Sequence, residues 1–116
     1  MLKNGDIITA YLSDKKDGSI QAGTRPVLVV SNNKANEYSP VITVVPLTTR
    51  TKKYMPTHVT ISDCGLYAPS VALVEQITSI SKGNLGKRIG TIHGTCFETL
   101  IKKAINIQLD IQGEIL

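Results

Sequence analysis

The sequence of 116 residues is 41% apolar and 19% charged, which predicts one globular domain spanning residues 1–116 and excludes an intrinsically disordered chain. Aromatic residues contribute only 4%, so the core must be aliphatic, and two cysteines are too few for a disulfide-stabilised scaffold. Thirteen Lys and Arg residues against nine Asp and Glu residues give a net charge of +4, which permits a polyanionic partner without requiring one.

The first half of the chain has patterns typical of β-strands. Residues 7–12 form a short apolar segment, and residues 13–19 form a polar loop. The β-branched run at residues 26–30 does not alternate with polar residues, which predicts a central strand buried on both faces. Residues 41–45 repeat this pattern, and we expect Pro46 to interrupt the ladder so that the next residues leave the sheet.

The second half continues with two more predicted strands. Residues 58–62 alternate between polar and apolar side chains, which predicts a half-buried strand. Residues 71–80 are long and largely apolar and predict another central strand, although Glu75 and Gln76 lie in its middle. Four glycines between residues 83 and 94 then predict a connecting segment.

The last part of the chain changes to a helical period. Thr95 and Glu98 have the spacing of a capping box, and Gly113 is a suitable end for the helix. The apolar stripe of this helix consists of Leu100, Ile101, Ala104, Ile105, Ile107, Leu109 and Ile111. The sequence therefore predicts a mainly β fold (α+β) with about five strands, arranged as a barrel or a strongly twisted antiparallel sheet, and one C-terminal helix. The short connections exclude βαβ crossovers.

Targeting and membrane-spanning segments are not apparent in the sequence. No apolar run reaches the ~18–20 residues of a transmembrane helix. The N-terminal residues are charged but are not followed by the apolar stretch of a secretory signal. We therefore expect a protein of the reducing cytoplasm that makes no membrane contact.

Two histidines and two cysteines are candidate metal ligands, because zinc favours both residue types: His58, Cys64, His93 and Cys96. His58 and Cys64 are farther apart in sequence than the usual ligand pairs of structural zinc sites, so we expect no metal site. We expect both cysteines to act as small buried hydrophobic residues rather than as nucleophiles.

Charged residues beside the apolar strands are a second group of candidates. Arg25 precedes one buried run and Glu75 lies inside another, where an unpaired charge is costly. These two residues either form a structural ion pair or line a functional site. The basic loop that contains Arg50, Lys52 and Lys53 either contacts the phosphates of a nucleic acid or is an ordinary solvated loop.

Five sequence blocks occur in the order in which a known family has them. They are residues 5–7 (GDI), 19–30 (SIQAGTRPVLVV), 45–48 (VPLT), 56–59 (PTHV) and 73–77 (LVEQI). Through them the chain, from residue 5 to about residue 109, resembles the MazF/PemK family of toxins from type II toxin–antitoxin modules, and its Gram-positive MazF branch in particular. The resemblance implies an SH3-like small barrel or twisted antiparallel sheet of the CcdB/MazF/PemK type, assembled as a homodimer.

The resemblance also implies an activity. Members of this family are sequence-specific, metal-independent endoribonucleases (mRNA interferases) that need no cofactor and cleave single-stranded mRNA. The ribose 2′-hydroxyl attacks the neighbouring phosphorus, which leaves a 2′,3′-cyclic phosphate and a 5′-hydroxyl. The implied partner is a cognate antitoxin with an acidic, disordered tail. Two alternatives stay open: a non-catalytic toxin that binds gyrase, as CcdB toxins do, and a generic nucleic-acid-binding barrel in which Lys52 and Lys53 matter more than Arg25.

The resemblance assigns roles to individual residues. Arg25 and Thr48 match the catalytic positions, and the guanidinium of Arg25 suits electrostatic stabilisation of a phosphorane-like transition state. The RNA-binding residues are expected to be Ser19, Gln21, Thr49, Glu75 and Gln76. Glu75 also stands where the Kid branch of the family has its catalytic aspartate. Whether Glu75 or His58 is the general base stays open.

Overall fold

In the computed structural model, residues 1–14, 18, 20–50 and 53–111 are described, and they form a seven-stranded antiparallel sheet with helices. The strands are β1 (Asp6–Tyr11), β2 (Thr24–Val29), β3 (Val41–Thr48), β4 (His58–Ile61), β5 (Ser70–Leu73), β6 (Thr78–Ser81) and β7 (Leu85–Thr91). The α-helices are α1 (Asn33–Tyr38) and α2 (Phe97–Gln108), and short 3₁₀ helices span Val74–Gln76 and Lys82–Asn84. None of the helices in the described ranges is long and apolar enough to span a lipid bilayer.

The strands lie in the order β4-β5-β3-β2-β1-β7, and β6 pairs with the first half of β3. This confirms the expected mainly β fold with a C-terminal helix. Strands β4 and β7 are the ends of this order, and no pairing joins them within the described chain. The fold is therefore an open antiparallel sheet. Of the two expected arrangements, a barrel or a twisted antiparallel sheet, the described strands form the second.

Strand β2 is central and buried on both faces, as its unbroken apolar run predicts. Val27, Leu28 and Val29 are all 0% exposed. Because successive strand residues point to opposite faces, Leu28 packs in the core cluster that also contains the buried residues of α2, whereas Val27 and Val29 pack in a second cluster on the other face. The apolar core therefore lies on both sides of the sheet and fixes β2 and β3 at its centre.

The expectation for Pro46 is confirmed in part. The pairing of β3 with β2 and with β6 stops at or before Pro46, but the next residues do not leave the sheet, because β3 continues to Thr48. Proline lacks the N–H group that a ladder requires, and the strand responds by changing partners rather than by leaving the sheet. Residues 41–44 of β3 pair with β6, and residues 47–48 pair with β5. Pro46 lies at the gap between these two partners.

The predicted single strand at residues 71–80 is also wrong, because it is broken into β5, the 3₁₀ helix Val74–Gln76 and β6. The break occurs at Glu75 and Gln76, the two polar residues that interrupt the apolar run. The 3₁₀ helix lies next to the gap beside Pro46. The proline in β3 and the polar pair Glu75–Gln76 therefore mark the same break in strand pairing. This break places two polar side chains at the edge of the apolar core.

The glycine-punctuated segment is strand β7 rather than a connection. A Cβ atom on Gly86 would lie 2.4 Å from Thr9 Oγ1, and one on Gly90 would lie 1.8 Å from the carbonyl oxygen of Cys64. These glycines therefore allow neighbouring segments to approach β7 closely. Helix α1 was not predicted at all, and it begins with the Asn32 side chain accepting a bond from the N–H of Ala35 (2.8 Å).

Helix α2 begins at Phe97, two residues after the predicted start. The predicted capping box does not form, because Cys96 is the N-cap residue and makes no side-chain capping bond. The Thr95 hydroxyl instead accepts from the N–H of Phe97 (3.2 Å), and the Glu98 carboxylate accepts from the N–H of Gly94 (3.0 Å). The helix ends at Gln108, and the predicted end at Gly113 lies outside the described residues.

The apolar stripe of α2 is buried only in part. Ile101 and Ala104 are 3% and 2% exposed, whereas Leu100 and Ile107 of the same stripe are 43% and 51% exposed. The sheet therefore covers one side of the stripe and leaves the other side at the surface.

Candidate active site

Arg25 and Thr48, the two candidate catalytic residues, lie on neighbouring central strands. Strands β2 and β3 pair in a register that places Val27 opposite Pro46, and Arg25 and Thr48 each lie two residues beyond this pair on their own strands. The pairing between the two strands ends at Val27 and Pro46. Each candidate therefore lies just beyond the point where β2 and β3 stop pairing.

The guanidinium of Arg25 is half-buried and only partly engaged. Its Nε donates to the carbonyl oxygen of Ala22 (3.1 Å), which folds the side chain back over the preceding turn. None of the ion pairs found between described residues includes Arg25, so the structural ion pair with Glu75 is the wrong alternative. A guanidinium has five N–H donors, and among the described residues only the Nε donor of Arg25 has a partner, so its other donors can face an anionic ligand.

Thr48 ends β3 and is only 3% exposed. Its Oγ1 accepts a hydrogen bond from the N–H of Arg50 (3.2 Å), which leaves the hydroxyl proton for an oxygen of a ligand. Thr49 follows at an exposed position. Arg50 and Lys53 of the basic loop are exposed as well, whereas Lys52 lies outside the described residues.

A cavity of about 390 Å³ lies beside the partner change in β3, and we call it the Gln21 cavity. Its lining includes Leu12, Gln21, Pro46, Glu75 and Gln76. The N–H of Gln21 donates to Gln76 Oε1 (2.8 Å), which ties the segment before β2 to the 3₁₀ helix. The structure thus brings together three of the five predicted RNA-binding residues.

The other two predicted RNA-binding residues are not placed in this cavity. Thr49 lies beyond the end of β3 and does not line the cavity. Ser19 lies outside the described residues.

Glu75 is held by two hydrogen bonds from the segment that begins β4. The hydroxyl of Thr57 donates to Glu75 Oε1 (3.0 Å), and His58 Nε2 lies 2.9 Å from Glu75 Oε2. The His58 side chain is 8% exposed and that of Glu75 is 25% exposed. Both candidates for the general base are therefore bound to each other, and their contact fastens the 3₁₀ helix to β4.

Sequence reasoning missed the part played by Thr57, although this residue belongs to one of the recognised blocks. The signal lay in its position directly before an alternating strand, where a buried polar residue (6% exposed) needs a partner. Its partner, Glu75, is 18 residues away, and the sequence alone does not pair the two.

The remaining titratable candidates do not form a site. His93 is 80% exposed, with its Nδ1 3.4 Å from Glu98 Oε2, and within the described ranges no group of three or more His, Cys, Asp or Glu residues could hold a metal ion. Burial raises the pKa of the Cys64 thiol, with smaller contributions from Asp63 and Cys96, so it is a poor nucleophile at neutral pH. The expected burial of Cys96 is wrong, because this residue is exposed where α2 begins.

A second and larger depression of about 610 Å³ lies between α2 and β4, and we call it the α2–β4 groove. Its lining includes Tyr54, His58, Leu100, Lys103 and Ile107. The exposed half of the α2 stripe forms much of its surface. His58 borders this groove while its partner Glu75 borders the Gln21 cavity, so their hydrogen bond lies between the two depressions.

Comparisons with known proteins point to one group. Residues 3–109 match a family model described as "PemK-like, MazF-like toxin of type II toxin-antitoxin system". The chain is 37% identical over 114 residues to "Endoribonuclease MazF" of Staphylococcus saprophyticus, a match that covers 96% of this chain and 90% of that protein.

Solved structures agree in fold over nearly the whole chain. An "Endoribonuclease in complex with its cognate antitoxin from Mycobacterial species" superposes with a TM-score of 0.78 at 25% identity, covering 97% of this chain and 98% of that one. The "Mycobacterium tuberculosis toxin MazF-mt6" gives a TM-score of 0.76 at 29% identity, covering 92% and 98%. MazF of Deinococcus radiodurans, at 20% identity and a TM-score of 0.76, covers 95% and 97% and shares the fold.

Proposed function

Because the chain belongs to the family of PemK-like, MazF-like toxins of type II toxin–antitoxin systems, we propose that this endoribonuclease toxin cleaves single-stranded mRNA in a sequence-specific, metal-independent reaction. The observation that carries the proposal is that Arg25 and Thr48 both lie just beyond the last β2–β3 pair, close along the chain to Gln21 and Pro46, which line a cavity with both polar and apolar walls. No cofactor takes part, and the reaction belongs to the cytoplasm, where mRNA is found.

The substrate supplies the nucleophile in this proposal. A general base takes the proton of the ribose 2′-hydroxyl, whose oxygen bonds to the adjacent phosphorus while the bond from phosphorus to the 5′-oxygen breaks. The 5′-oxygen takes up a proton, which leaves a 2′,3′-cyclic phosphate and a 5′-hydroxyl. Negative charge on the phosphate oxygens grows in the transition state, so the protein contributes most by stabilising that charge.

Arg25 and Thr48 divide this stabilisation between them. The guanidinium of Arg25 binds two phosphate oxygens at once, and because its pKa lies above ~12 it acts as a fixed positive charge rather than as a base. The Thr48 hydroxyl donates a hydrogen bond to a phosphate oxygen. The general base is left open between Glu75 and His58, whose side chains lie 2.9 Å apart (Glu75 Oε2 to His58 Nε2).

Base recognition is assigned to the side chains around the Gln21 cavity. Gln21, Glu75 and Gln76 line it, and amides and carboxylates read the donor and acceptor groups of unstacked bases. Ser19 and Thr49 complete the proposed RNA-binding set on the strength of the family resemblance.

We further propose that the toxin is a homodimer whose subunits meet at the α2–β4 groove. Leu100 and Ile107 are exposed apolar residues on the stripe whose other half enters the core, and a second copy would remove them from water. Because the contact is isologous, each subunit supplies the same apolar surface. The antitoxin partner is proposed to be acidic and disordered before binding, since the net charge of +4 favours its capture.

Incubation of the purified protein with a long single-stranded RNA in EDTA tests the ribonuclease proposal. The wild-type protein should give discrete fragments that end in 2′,3′-cyclic phosphate. Arg25→Ala should lower the cleavage rate by about 100-fold or more, the usual cost of losing one charge-stabilising donor.

Arg88→Ala is the matched control. Arg88 lies on β7 with its side chain 55% exposed and paired to Asp6, and its removal should leave cleavage unchanged. Intact RNA with the wild-type protein, or equal cleavage by Arg25→Ala, would contradict the proposal. Inhibition of gyrase without any RNA cleavage would instead establish the CcdB-like alternative.

A further inference from the structure

The imidazole of His58 is buried against the carboxylate of Glu75. The His58 side chain is 8% exposed, and its Nε2 lies 2.9 Å from Glu75 Oε2. A carboxylate oxygen only accepts, so Nε2 carries the hydrogen of this bond. His58 is the first residue of β4, whereas Glu75 belongs to the 3₁₀ helix, so the bond joins two segments that are distant in sequence. It therefore helps to fix where the 3₁₀ helix lies against the sheet.

The 3₁₀ helix Val74–Gln76 depends on such contacts for its position. It lies between β5 and β6, and a helix of three residues has little hydrogen bonding of its own. The N–H of Val74 donates to the carbonyl of Thr57 (3.2 Å), which holds the first residue of the helix. The second residue, Glu75, is held by its side-chain bonds to Thr57 and His58. Loss of the imidazole would therefore remove one of the contacts that hold the helix against β4.

The third residue of the 3₁₀ helix continues the connection to the segment before β2. Gln76 Oε1 accepts from the N–H of Gln21 (2.8 Å). The carbonyl of the next residue, Ala22, accepts from Arg25 Nε (3.1 Å). Together with the bond from His58 to the middle residue of the helix, these contacts form a continuous series from the imidazole to the guanidinium. The series leads from β4 to the candidate catalytic arginine.

We propose that His58 is a positioning residue for Arg25: it holds the 3₁₀ helix, the helix holds the segment before β2, and the carbonyl of Ala22 in that segment orients the guanidinium toward the scissile phosphate. The inference rests on the proposed ribonuclease function and deepens it. In this role the imidazole acts through Glu75 and takes no proton from the RNA. The role is important because a guanidinium binds two phosphate oxygens only in a fixed orientation, and a displacement of about 1 Å can lower a rate by about 100-fold.

Substitution of His58 separates positioning from proton transfer. His58→Leu fills the buried volume without a donor, and the rate of the cleavage step should fall roughly tenfold. His58→Gln places an amide N–H near the Nε2 position and should restore most of the lost rate. An amide does not act as a general base, so this rescue would not occur if the imidazole took the proton. Single-turnover kinetics with excess protein, below the thermal transition of each variant, measure the rate for folded protein alone.

A double-mutant cycle shows whether the effect depends on Arg25. In the Arg25→Ala background the guanidinium is absent, so adding His58→Leu should lower the residual rate by less than about twofold. Independent effects would multiply instead, and the double variant would then be about tenfold slower than Arg25→Ala alone.

His93→Leu is the matched control. His93 also contacts a glutamate, with its Nδ1 3.4 Å from Glu98 Oε2, but its side chain is 80% exposed and takes no part in the series that leads to Arg25. Its substitution should leave the cleavage rate unchanged. If His58→Leu does not fold, as judged by its thermal transition, His58→Met replaces it.

Any of three results would overturn the inference: a wild-type rate in His58→Leu, no rescue by His58→Gln, or a loss from His58→Leu that persists in full without Arg25. Failure of the underlying function has a different signature. In that case the wild-type protein leaves the RNA intact, and no rate exists for the variants to change.

Discussion

The two depressions on either side of the His58–Glu75 hydrogen bond differ in what they offer a partner. The α2–β4 groove is the larger, at about 610 Å³, and exposes aliphatic side chains of a helix that lacks a complete covering. The Gln21 cavity, at about 390 Å³, is lined by Gln21, Glu75 and Gln76 beside its apolar walls. The groove is suited to a protein surface, which buries apolar area, and the cavity is suited to an RNA base, which needs directed hydrogen bonds.

The difference arises from two interruptions in otherwise regular patterns. On the cavity side, Pro46 removes a donor from β3 and the polar pair Glu75–Gln76 breaks the neighbouring strand, so polar groups gather where the sheet has a gap. On the groove side, the stripe of α2 is wider than the sheet surface that covers it. Regular segments of this fold therefore build the core, and the irregular ones create its two candidate binding surfaces.

Disruption of the groove should have the largest effect on assembly. Ile107→Glu places a charge in the proposed contact between two copies, where it would be buried without a partner. The dissociation constant of the dimer should rise by about 100-fold, since interface residues of this kind contribute about 2 kcal/mol or more. Sedimentation velocity over a range of concentrations measures this change.

Gln108→Glu is the matched control for the groove. It adds the same charge at the next position of α2, at an exposed residue outside the groove lining, and should leave the dimer intact. A dimer that tolerates Ile107→Glu would show that the subunits meet elsewhere, and the proposed contrast between the two depressions would fail.

Substitution of Glu75 is a sharper test of the Gln21 cavity. It distinguishes a residue that only anchors the 3₁₀ helix from a residue that takes part in catalysis. Glu75→Ala leaves Thr57 and His58 without their shared partner, so the free energy of unfolding should fall by about 2 kcal/mol and the KM for RNA should rise. Glu75→Gln keeps an acceptor for Thr57 and should restore most of both quantities. Chemical denaturation and cleavage kinetics provide the measurements.

The opposite pattern would identify Glu75 as the general base. In that case Glu75→Gln would lower kcat by about 100-fold, the usual contribution of proton transfer, while the free energy of unfolding stayed near that of the wild type.

Much of this arrangement can be predicted from local sequence. The unbroken run at residues 26–30 is a buried central strand and the stripe from Leu100 onward belongs to a helix, because periodicity reports directly on burial. The blocks around Arg25 and Thr48 locate two residues that the sheet then places just beyond the last pair of β2 and β3.

What the sequence does not predict depends on contacts between distant segments. Residues 71–80 look like one strand in the sequence. The polar pair Glu75–Gln76 marks an interruption there, but only the fold shows that the chain forms a 3₁₀ helix at this point. The glycines of β7 look like a connection, because their function is to let Thr9 and the carbonyl of Cys64 approach. The bond from Thr57 to Glu75 links segments whose pairing only the fold determines.

The smallest expected effect concerns Thr57, whose hydroxyl provides one of the two bonds to Glu75. Thr57→Val has nearly the same shape and removes only that donor, while His58 continues to hold the other carboxylate oxygen. Glu75 is partly exposed, so water can replace the lost bond, and the free energy of unfolding should fall by about 1 kcal/mol. Denaturant unfolding measures this loss, and Thr99→Val on the exposed side of α2 should change it by no more than about 0.5 kcal/mol. A loss equal to that of Glu75→Ala would mean that His58 contributes nothing to holding the 3₁₀ helix, and the bond between the groove and the cavity would then have no structural role.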